Sequence, residues 1–294
     1  LLQQRLPLGG FGISRYVLDH ALMKIARASG VEVKENVKVQ DIITDENSAT
    51  VITDTAQYKV KIAAASFGKR SNIDIKWKRD FAVATKNKLN NYVGVKYHIQ
   101  SDFPNDIIAL HCFPGGYCGL VKIENDQYNL CYLATADNLK RSGNDIVKME
   151  QTILSSNPHL QKIFSSILND RTPITISQIS FDKKKQVEDH VLMIGDAAGM
   201  IAPLCGNGMS MALHAGKIAF ICIDRYLKGE IDHNEMEGEY TRNWQKQFAS
   251  RLRMGRRIQK LSGNPFWVNL LINSGKIFPA LLRRMIRQTH GAPF

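Results

Sequence analysis

The residues with the clearest chemical potential lie in one stretch, 191–219, which reads VLMIGDAAGMIAPLCGNGMSMALHAGKIA. Val191 to Ile194 form an apolar run that predicts a buried strand. It ends at Gly195 and delivers Asp196 to the carboxyl edge of a sheet. Ala197, Ala198 and Gly199 are small enough to admit a closely approaching group. Pro203 turns the loop, and Gly206 and Gly208 free the backbone where a helix begins, with Gly208 expected to need φ > 0. The N–H groups of a first helical turn lack intrahelical acceptors and point into whatever site lies there. A carboxylate at a strand end suits a polyhydroxylated chain, and helix N–H groups suit an electron-rich ring. A flavin presents both, with its ribitol on Asp196 and its pyrimidine edge near Gly206, Asn207, Gly208 and Met209. An ordinary strand, loop and helix whose glycines only turn the chain satisfies the same spacing.

Other reactive side chains carry less. His111, Cys112 and Cys118 sit on adjacent strands at irregular spacing, whereas zinc sites want paired close ligands in loops, so no metal is assigned. The eight histidines show neither triad spacing nor HExxH, so hydrolytic chemistry is unsupported. Cys205 borders the glycine loop but has no second cysteine nearby to resolve it, and reads as small apolar packing. No catalytic acid or base stands out. The five cysteines are odd in number and form no CxxC pair, which argues for a reducing, cytoplasmic setting without a disulfide framework.

The elements that must position the 191–219 stretch follow from periodicity. Residues 15–29 are predicted as an amphipathic helix capped by Ser14 and ended by Gly30. A strand is predicted at 31–39, then a hairpin and strand over 40–63. Short β-prone runs at 81–85, 92–99, 107–113, 117–123 and 128–133 predict an antiparallel meander. Helices at 145–155 and 158–168 and a strand at 175–181 lead to the 191–194 strand. Helices at 207–227, 232–260, 265–275 and 277–288 close the chain.

With 294 residues, 44% hydrophobic and 22% charged, the chain is of globular composition. Lys and Arg number 39 against 27 Asp and Glu, a net charge of +12 that suggests an anionic partner such as a phosphate cofactor or membrane surface. The basic C-terminal helices lack any nucleic-acid module, so no nucleic acid is expected; peripheral membrane contact is the alternative to a solvated face. Residues 197–216 carry no Asp, Glu, Lys or Arg, yet glycines and Pro203 interrupt them, so a loop feeding a buried helix is the better reading than a membrane span.

The segment GDAAGMIAPLCGNGMSMALHAG resembles the second FAD-binding motif of the flavoprotein superfamily that holds the aromatic-ring hydroxylases and geranylgeranyl reductases. Its second half is closer to the reductase branch. The resemblance implies that Asp196 binds the ribitol and that Pro203, Gly206, Asn207, Gly208 and Met209 line the isoalloxazine. Residues 9–22, GGFGISRYVLDHAL, resemble the family stretch in which an arginine reaches FAD, and Arg15 inherits that role. Residues 64–71, AASFGKRS, resemble the Ala-Asp-Gly-x-x-Ser turn, with Phe67 in place of the acid, which weakens hydroxylase-type handling of NADH or NADPH. Pro114, Gly115, Gly116 and Tyr117 match a strand over the substrate cavity, although the Trp-x-Phe-Pro element that follows it in the family is replaced by Cys118-Gly119-Leu120-Val121.

These resemblances imply an α/β fold with an FAD/NAD(P)-binding Rossmann-like lobe, a second lobe on an antiparallel β-sheet, and C-terminal helices. The expected division is 1–75 and 181–230 for the FAD lobe, 76–180 for the substrate lobe and 231–294 for the terminal helices. No strand-GxGxxG-helix motif is present, so the chain is read as a fragment lacking the ADP-binding unit and inactive by itself. The implied activity is FAD-dependent oxidation–reduction with NADH or NADPH as reductant and a small lipophilic or aromatic substrate. Reduction of a C=C bond, hydroxylation, and non-catalytic binding by a flavin fold remain as alternatives.

Overall fold

The computed structural model describes all residues except 1, 7–8, 47, 84–91, 167–172, 178 and 291–293. Two compact units emerge, each assembled from separated segments. The first comprises Leu1–Lys34, Asn90–Ile179 and Gln259–Arg283; the second comprises Glu35–Leu89, Ser180–Ile258 and Arg284–Phe294.

The chain opens with α1 (Arg15–Ala28), whose Ser14 cap accepts a hydrogen bond from Val17 N and whose end is turned by Gly30 at φ +83°. A three-stranded antiparallel sheet follows: β1 (Val39–Thr44), β2 (Ala49–Thr53) and β3 (Gln57–Val60). Next come β4 (Ala64–Ala65), α2 (Asn72–Lys76) and α3 (Asp80–Val83). Then β5 (Tyr92–Ile99), β6 (Ala109–Phe113), β7 (Gly116–Lys122) and β8 (Tyr128–Thr135) form the expected meander, which β9 (Ile174–Ile176) completes. The helices α4 (Ala136–Arg141), α5 (Ile146–Thr152) and α6 (Pro158–Ser166) separate β8 from β9. The remainder is β10 (Val187–Glu188), β11 (Val191–Met193), α7 (Gly208–Leu227), α8 (His233–Ser262), α9 (Pro265–Ile277) and α10 (Pro279–His290).

In the first unit the five strands lie in the order β6-β7-β8-β5-β9, all antiparallel. Val95, Tyr97 and Ile99 of β5 and Leu130 and Tyr132 of β8 face a core closed by Met149, Leu154 and Leu160. Period-2 alternation is what puts these residues on one face. Glu150 is buried in this core, and its Oε1 accepts 2.7 Å hydrogen bonds from both Tyr97 Oη and Tyr132 Oη. Burial raises the Glu150 carboxyl above its ordinary range, and the two hydroxyl donors oppose that rise.

In the second unit β11 pairs parallel with β4 and antiparallel with β10. This short parallel pair, the antiparallel sheets and the helices together give the α/β class expected from the sequence.

Three local expectations are corrected. Residues 31–38 form no strand: Asn36 takes φ +56°, and Asp54 Oδ1 accepts from Lys38 N, so pairing starts only at Val39. The 81–85 run is helical over Asp80–Val83, with Thr85 outside the described residues; Phe81 is buried beneath the Lys184 and Arg79 side chains, at 4.2 and 5.1 Å from its ring centroid. Of the 175–181 strand, only Ile174–Ile176 pairs among the described residues, and further on Ser180 Oγ accepts from Asp182 N.

Candidate functional site

The three residues of β11 are fully buried, and Ile194 N continues the parallel ladder by donating to Ala65 O at 2.9 Å. At Gly195 the chain leaves the sheet in a 3₁₀ turn, Gly195–Ala197, with φ +62°. A Cβ there would also lie 3.2 Å from Ala212 Cβ, so glycine is required by both conformation and space. Asp196 is thereby presented, half-buried, just beyond the carboxyl end of β11.

Three successive carbonyls of this turn are held by side chains. Lys184 Nζ donates to Asp196 O at 2.7 Å and to Lys69 O at 2.7 Å. Arg79 Nη2 donates to Ala197 O at 3.2 Å, and Gln186 Nε2 to Ala198 O at 3.3 Å. Arg79 also forms a buried pair with Asp74 at 2.8 Å and reaches Glu188 at 3.3 Å. Burial holds the Lys184 ammonium down to about pKa 8; Arg79 lowers it further, while Asp74, Asp196 and Asp182 act the other way. The Lys69 ammonium is lowered by burial and raised by Asp196.

Sequence reasoning missed Lys184, Arg79 and Gln186. Only an inward alternation, Lys184 and Gln186 buried with Lys183 and Lys185 exposed, marks two of them, and a run of three lysines hides it.

The glycine loop is less uniform than its spacing suggests. Gly199 is small because Trp244 of α8 occupies the adjacent space: an added Cβ would lie 2.9 Å from the indole. The positive φ expected at Gly208 falls instead on Gly206, at +67°, where the 3₁₀ turn Pro203–Cys205 ends. Gly208 is the first residue of α7, and a Cβ there would meet only Ile201 Cγ2, at 3.9 Å. Asn207 is the N-cap but caps nothing. Its Nδ2 donates to Thr289 O, while its Oδ1 is buried without a hydrogen-bond partner among the described residues. The first-turn N–H groups of α7 thus receive no side-chain cap.

Gly195, Asp196, Ile201, Gly208, Met211 and Trp244 line a cavity of about 10 Å³, room for a single water. A larger cavity of about 220 Å³ is walled by Lys184, Gln186, Trp244, Gln245, Arg253 and Arg256, among others. Pro203 and Gly206 are exposed, and Met209 is half-buried. The structure therefore brings Asp196, Pro203, Gly206, Asn207, Gly208 and Met209 together around the end of β11 and the start of α7, all in the second unit.

Arg15 and Pro114 to Tyr117 lie in the first unit, and the 64–71 turn lies in the second. Arg15 is exposed on α1 and pairs with Asp19 at 2.9 Å. The GGFG stretch before it runs against β7; a Cβ on Gly12 would fall 2.0 Å from Lys122 O. Pro114 and Gly115 form the two-residue turn between β6 and β7, with Gly115 at φ +79°, as a Pro-Gly turn requires. Asn138 Nδ2 donates to Pro114 O at 2.7 Å, and Gly115 N to Gly263 O at 3.0 Å. Gly116 faces Leu133 O, 2.2 Å from an added Cβ, and Tyr117 is buried. Of the 64–71 turn, Gly68 is left-handed at +84°, and Ser71 forms a capping box with Asp74 at the start of α2.

Cys205 is buried, which pushes its thiol up to about 11 and keeps it protonated near neutral pH. All five cysteines are free thiols.

No family profile matches the chain. It is 22% identical over 265 residues to conditioned medium factor receptor 1 of Dictyostelium discoideum, covering 82% of this chain and 49% of that protein. It is 32% identical over 103 residues to a digeranylgeranylglycerophospholipid reductase of Methanocaldococcus jannaschii, covering 32% of this chain and 26% of that one. The chain thus spans about half the length of the first of these relatives and less of the second. Among solved structures, Klebsiella pneumoniae HpxO complexed with FAD and uric acid superposes with a TM-score of 0.75 at 14% identity, over 95% of this chain and 72% of that one.

The chain has the fold of the FAD-binding flavoproteins.

Proposed function

We propose that the complete protein is an FAD-dependent oxidoreductase that reduces a C=C bond of a lipophilic substrate, in the manner of the geranylgeranyl reductases, with NADH or NADPH as reductant. The observation that carries the cofactor assignment is the unpartnered, buried Asn207 Oδ1, beside the uncapped N–H groups of α7, whose first residue Gly208 lines a small cavity with Asp196. A buried acceptor left without a donor costs about 1–3 kcal/mol, so a ligand N–H at that point is a reason for it to persist. The donor set fits a flavin. Asp196 would hold the ribityl hydroxyls. The α7 N–H groups and the Asn207 amide oxygen would hold the pyrimidine edge, which offers both acceptors and an N–H. Gly208 leaves the space that a side chain would close. When bound, FAD supplies the hydride chemistry, and these residues bind and orient it.

A lipophilic substrate is supported by the partial identity to the lipid reductase and by α9, where Phe266, Trp267, Leu270 and Ile277 are exposed. No helix among the described residues is long and apolar enough to cross a membrane. Flavin monooxygenation of an aromatic or lipid substrate uses the same cradle and is the second reading, since the fold likeness to HpxO does not separate the two.

The test has two stages. Asp196→Ala in the complete protein should weaken FAD binding about 10- to 100-fold, the effect of removing one partner of a charge-assisted hydrogen bond. An unchanged Kd removes the cofactor reading and leaves a binding fold without flavin. Turnover of a prenylated lipid under strict anaerobiosis then supports the reductase; turnover only with O2 supports the oxygenase.

A further inference from the structure

A second site lies at the other end of β11, in the turn that joins it to β10. Asp189 and His190 form a two-residue hairpin loop, and both are left-handed, at φ +48° and +60°. Asn-Gly and Asp-Gly are the usual occupants of such a loop, because a larger side chain is strained there by about 1–2 kcal/mol. A histidine at the second position is held where glycine would be easier. Its imidazole faces the start of α8: His190 Nδ1 lies 3.0 Å from Glu237 Oε1. His233, the first residue of α8 and one turn before Glu237, brings its own Nδ1 within 3.6 Å of the same oxygen. One ligand atom from each of the three residues lies within 4.8 Å of the other two.

The surroundings suit an ion. His233 is buried and fixed by the Tyr226 ring, edge-on at 5.5 Å, while the His190 side chain is 41% exposed and leaves the mouth open. Among the described residues no Lys or Arg pairs with Glu237; its ionic partners are the two imidazoles.

We propose that His190, His233 and Glu237 bind a borderline divalent transition-metal ion of the zinc class, clamping the β10–β11 turn to α8. Two imidazole nitrogens and one carboxylate oxygen are ligands for such an ion rather than for Mg²⁺ or Ca²⁺, which prefer oxygen alone. At bond lengths of about 2.0–2.2 Å a tetrahedral site separates its ligand atoms by about 3.3–3.6 Å. The 3.0 and 3.6 Å separations here bracket that range, and the half-exposed His190 ring is the ligand able to close the remaining gap. Three protein ligands leave a fourth position for water. The dipole at the N-terminus of α8 opposes a cation there by about 0.3–1 kcal/mol. The Glu237 charge and three donor bonds outweigh that. His233 and Glu237 share one turn of α8, but His190 lies 43 positions before His233, so no spacing rule joins all three.

The test uses the complete, tag-free protein after chelator treatment, titrated with Zn²⁺ by calorimetry and followed by thermal unfolding. One Zn²⁺ should bind per chain and raise Tm, and an equal concentration of Mg²⁺ should leave Tm unchanged. His190→Asn keeps a residue that tolerates the left-handed turn while removing the imidazole, and should weaken Zn²⁺ binding at least tenfold without lowering the Tm of the metal-free protein. Glu237→Gln should do likewise to affinity. Absence of saturable Zn²⁺ binding, equal stabilisation by Mg²⁺, or unchanged affinity in His190→Asn and Glu237→Gln would overturn the proposal, leaving a His190–Glu237 hydrogen bond with His233 beside it.

Discussion

Gly206 and Gly208 stand two residues apart, yet the structure assigns them different physical constraints, and valine at each position separates cofactor binding from folding. Gly208 is the first residue of α7, where its Cβ would make one ordinary contact, with Ile201 at 3.9 Å. In a helix valine is favoured over glycine by about 0.3 kcal/mol. The backbone therefore gains slightly, and the added methyl groups enter open space. We expect Gly208→Val to move the Tm of the flavin-free protein by less than about 2 °C, at about 2–4 °C per kcal/mol for a unit of this size. Gly206 has nothing within 4 Å of an added Cβ but sits at φ +67°. Valine there costs about 1–2 kcal/mol of left-handed strain, and Tm should fall by about 2–8 °C. Flavin content follows a different order. If the isoalloxazine edge lies over the start of α7, two methyl groups on residue 208 displace it, and FAD affinity should drop at least tenfold, about 1.4 kcal/mol. The assay is flavin absorbance per protein after gel filtration of the complete protein, alongside differential scanning calorimetry of the flavin-free form. Gly208→Val with normal flavin content would refute the cradle at α7. Gly208→Val with a Tm loss equal to that of Gly206→Val would refute the open space on which the argument rests.

Further expectations follow from the buried polar groups. Arg79→Met should cost about 3–5 kcal/mol in urea unfolding, because it strands the fully buried Asp74 carboxylate, and adding Asp74→Asn should recover much of the loss. Because the folded pKa of Lys184 lies below its ordinary value, the unfolded chain binds the extra proton between about pH 8 and 10.5. Wild-type stability relative to Lys184→Met should therefore rise across that window, by at most about 1.4 kcal/mol per pH unit, and stay flat below it; a falling difference would contradict the burial of the ammonium. Glu150→Gln should leave stability near pH 7 within about 1 kcal/mol, since an amide oxygen still accepts from Tyr97 and Tyr132. Glu150→Leu, which strands two buried hydroxyls, should cost about 2 kcal/mol or more.

What the sequence disclosed was governed by how local the cause is. The meander β5–β8 and the helices α7 to α10 were legible because period-2 and period-3.6 patterns and Gly/Pro punctuation act over a few residues. Ser14 and Gly30 were legible as caps for the same reason. The misread pieces have distant causes. Phe81 is β-prone, yet it is helical under two cations that include Lys184, more than a hundred positions away. Gly199 resembles a glycine kept for a ligand, yet Trp244 of α8 fills the space beside it. Nothing near residues 197 or 199 in sequence encodes Arg79 or Trp244.

The same distance argument bears on how the site works. Asp196 comes from a short motif, but its aim does not. The carbonyls of residues 196, 197 and 198 are drawn to one side by Lys184, Arg79 and Gln186, so the turn is fixed from its carbonyl side. A backbone held at three successive carbonyls has little freedom to rotate its peptide planes, which fixes the Cα–Cβ direction of Asp196. Preorganisation of this kind lowers the ordering cost of binding, about 0.5–1.5 kcal/mol for each side chain that would otherwise be immobilised. If that is how Asp196 is aimed, Gln186→Ala should weaken FAD binding without touching any flavin-facing atom. It removes a donor to Ala198 O and to Lys184 O and an acceptor for Gln245 Nε2, while leaving the Lys184 Nζ and Arg79 contacts to the turn in place. A loss of two- to tenfold in affinity, with Asp196→Ala adding less than its full effect on top, would show that the two residues act through one another. Full additivity of the two substitutions would mean that Gln186 supports the fold and not the orientation of the carboxylate.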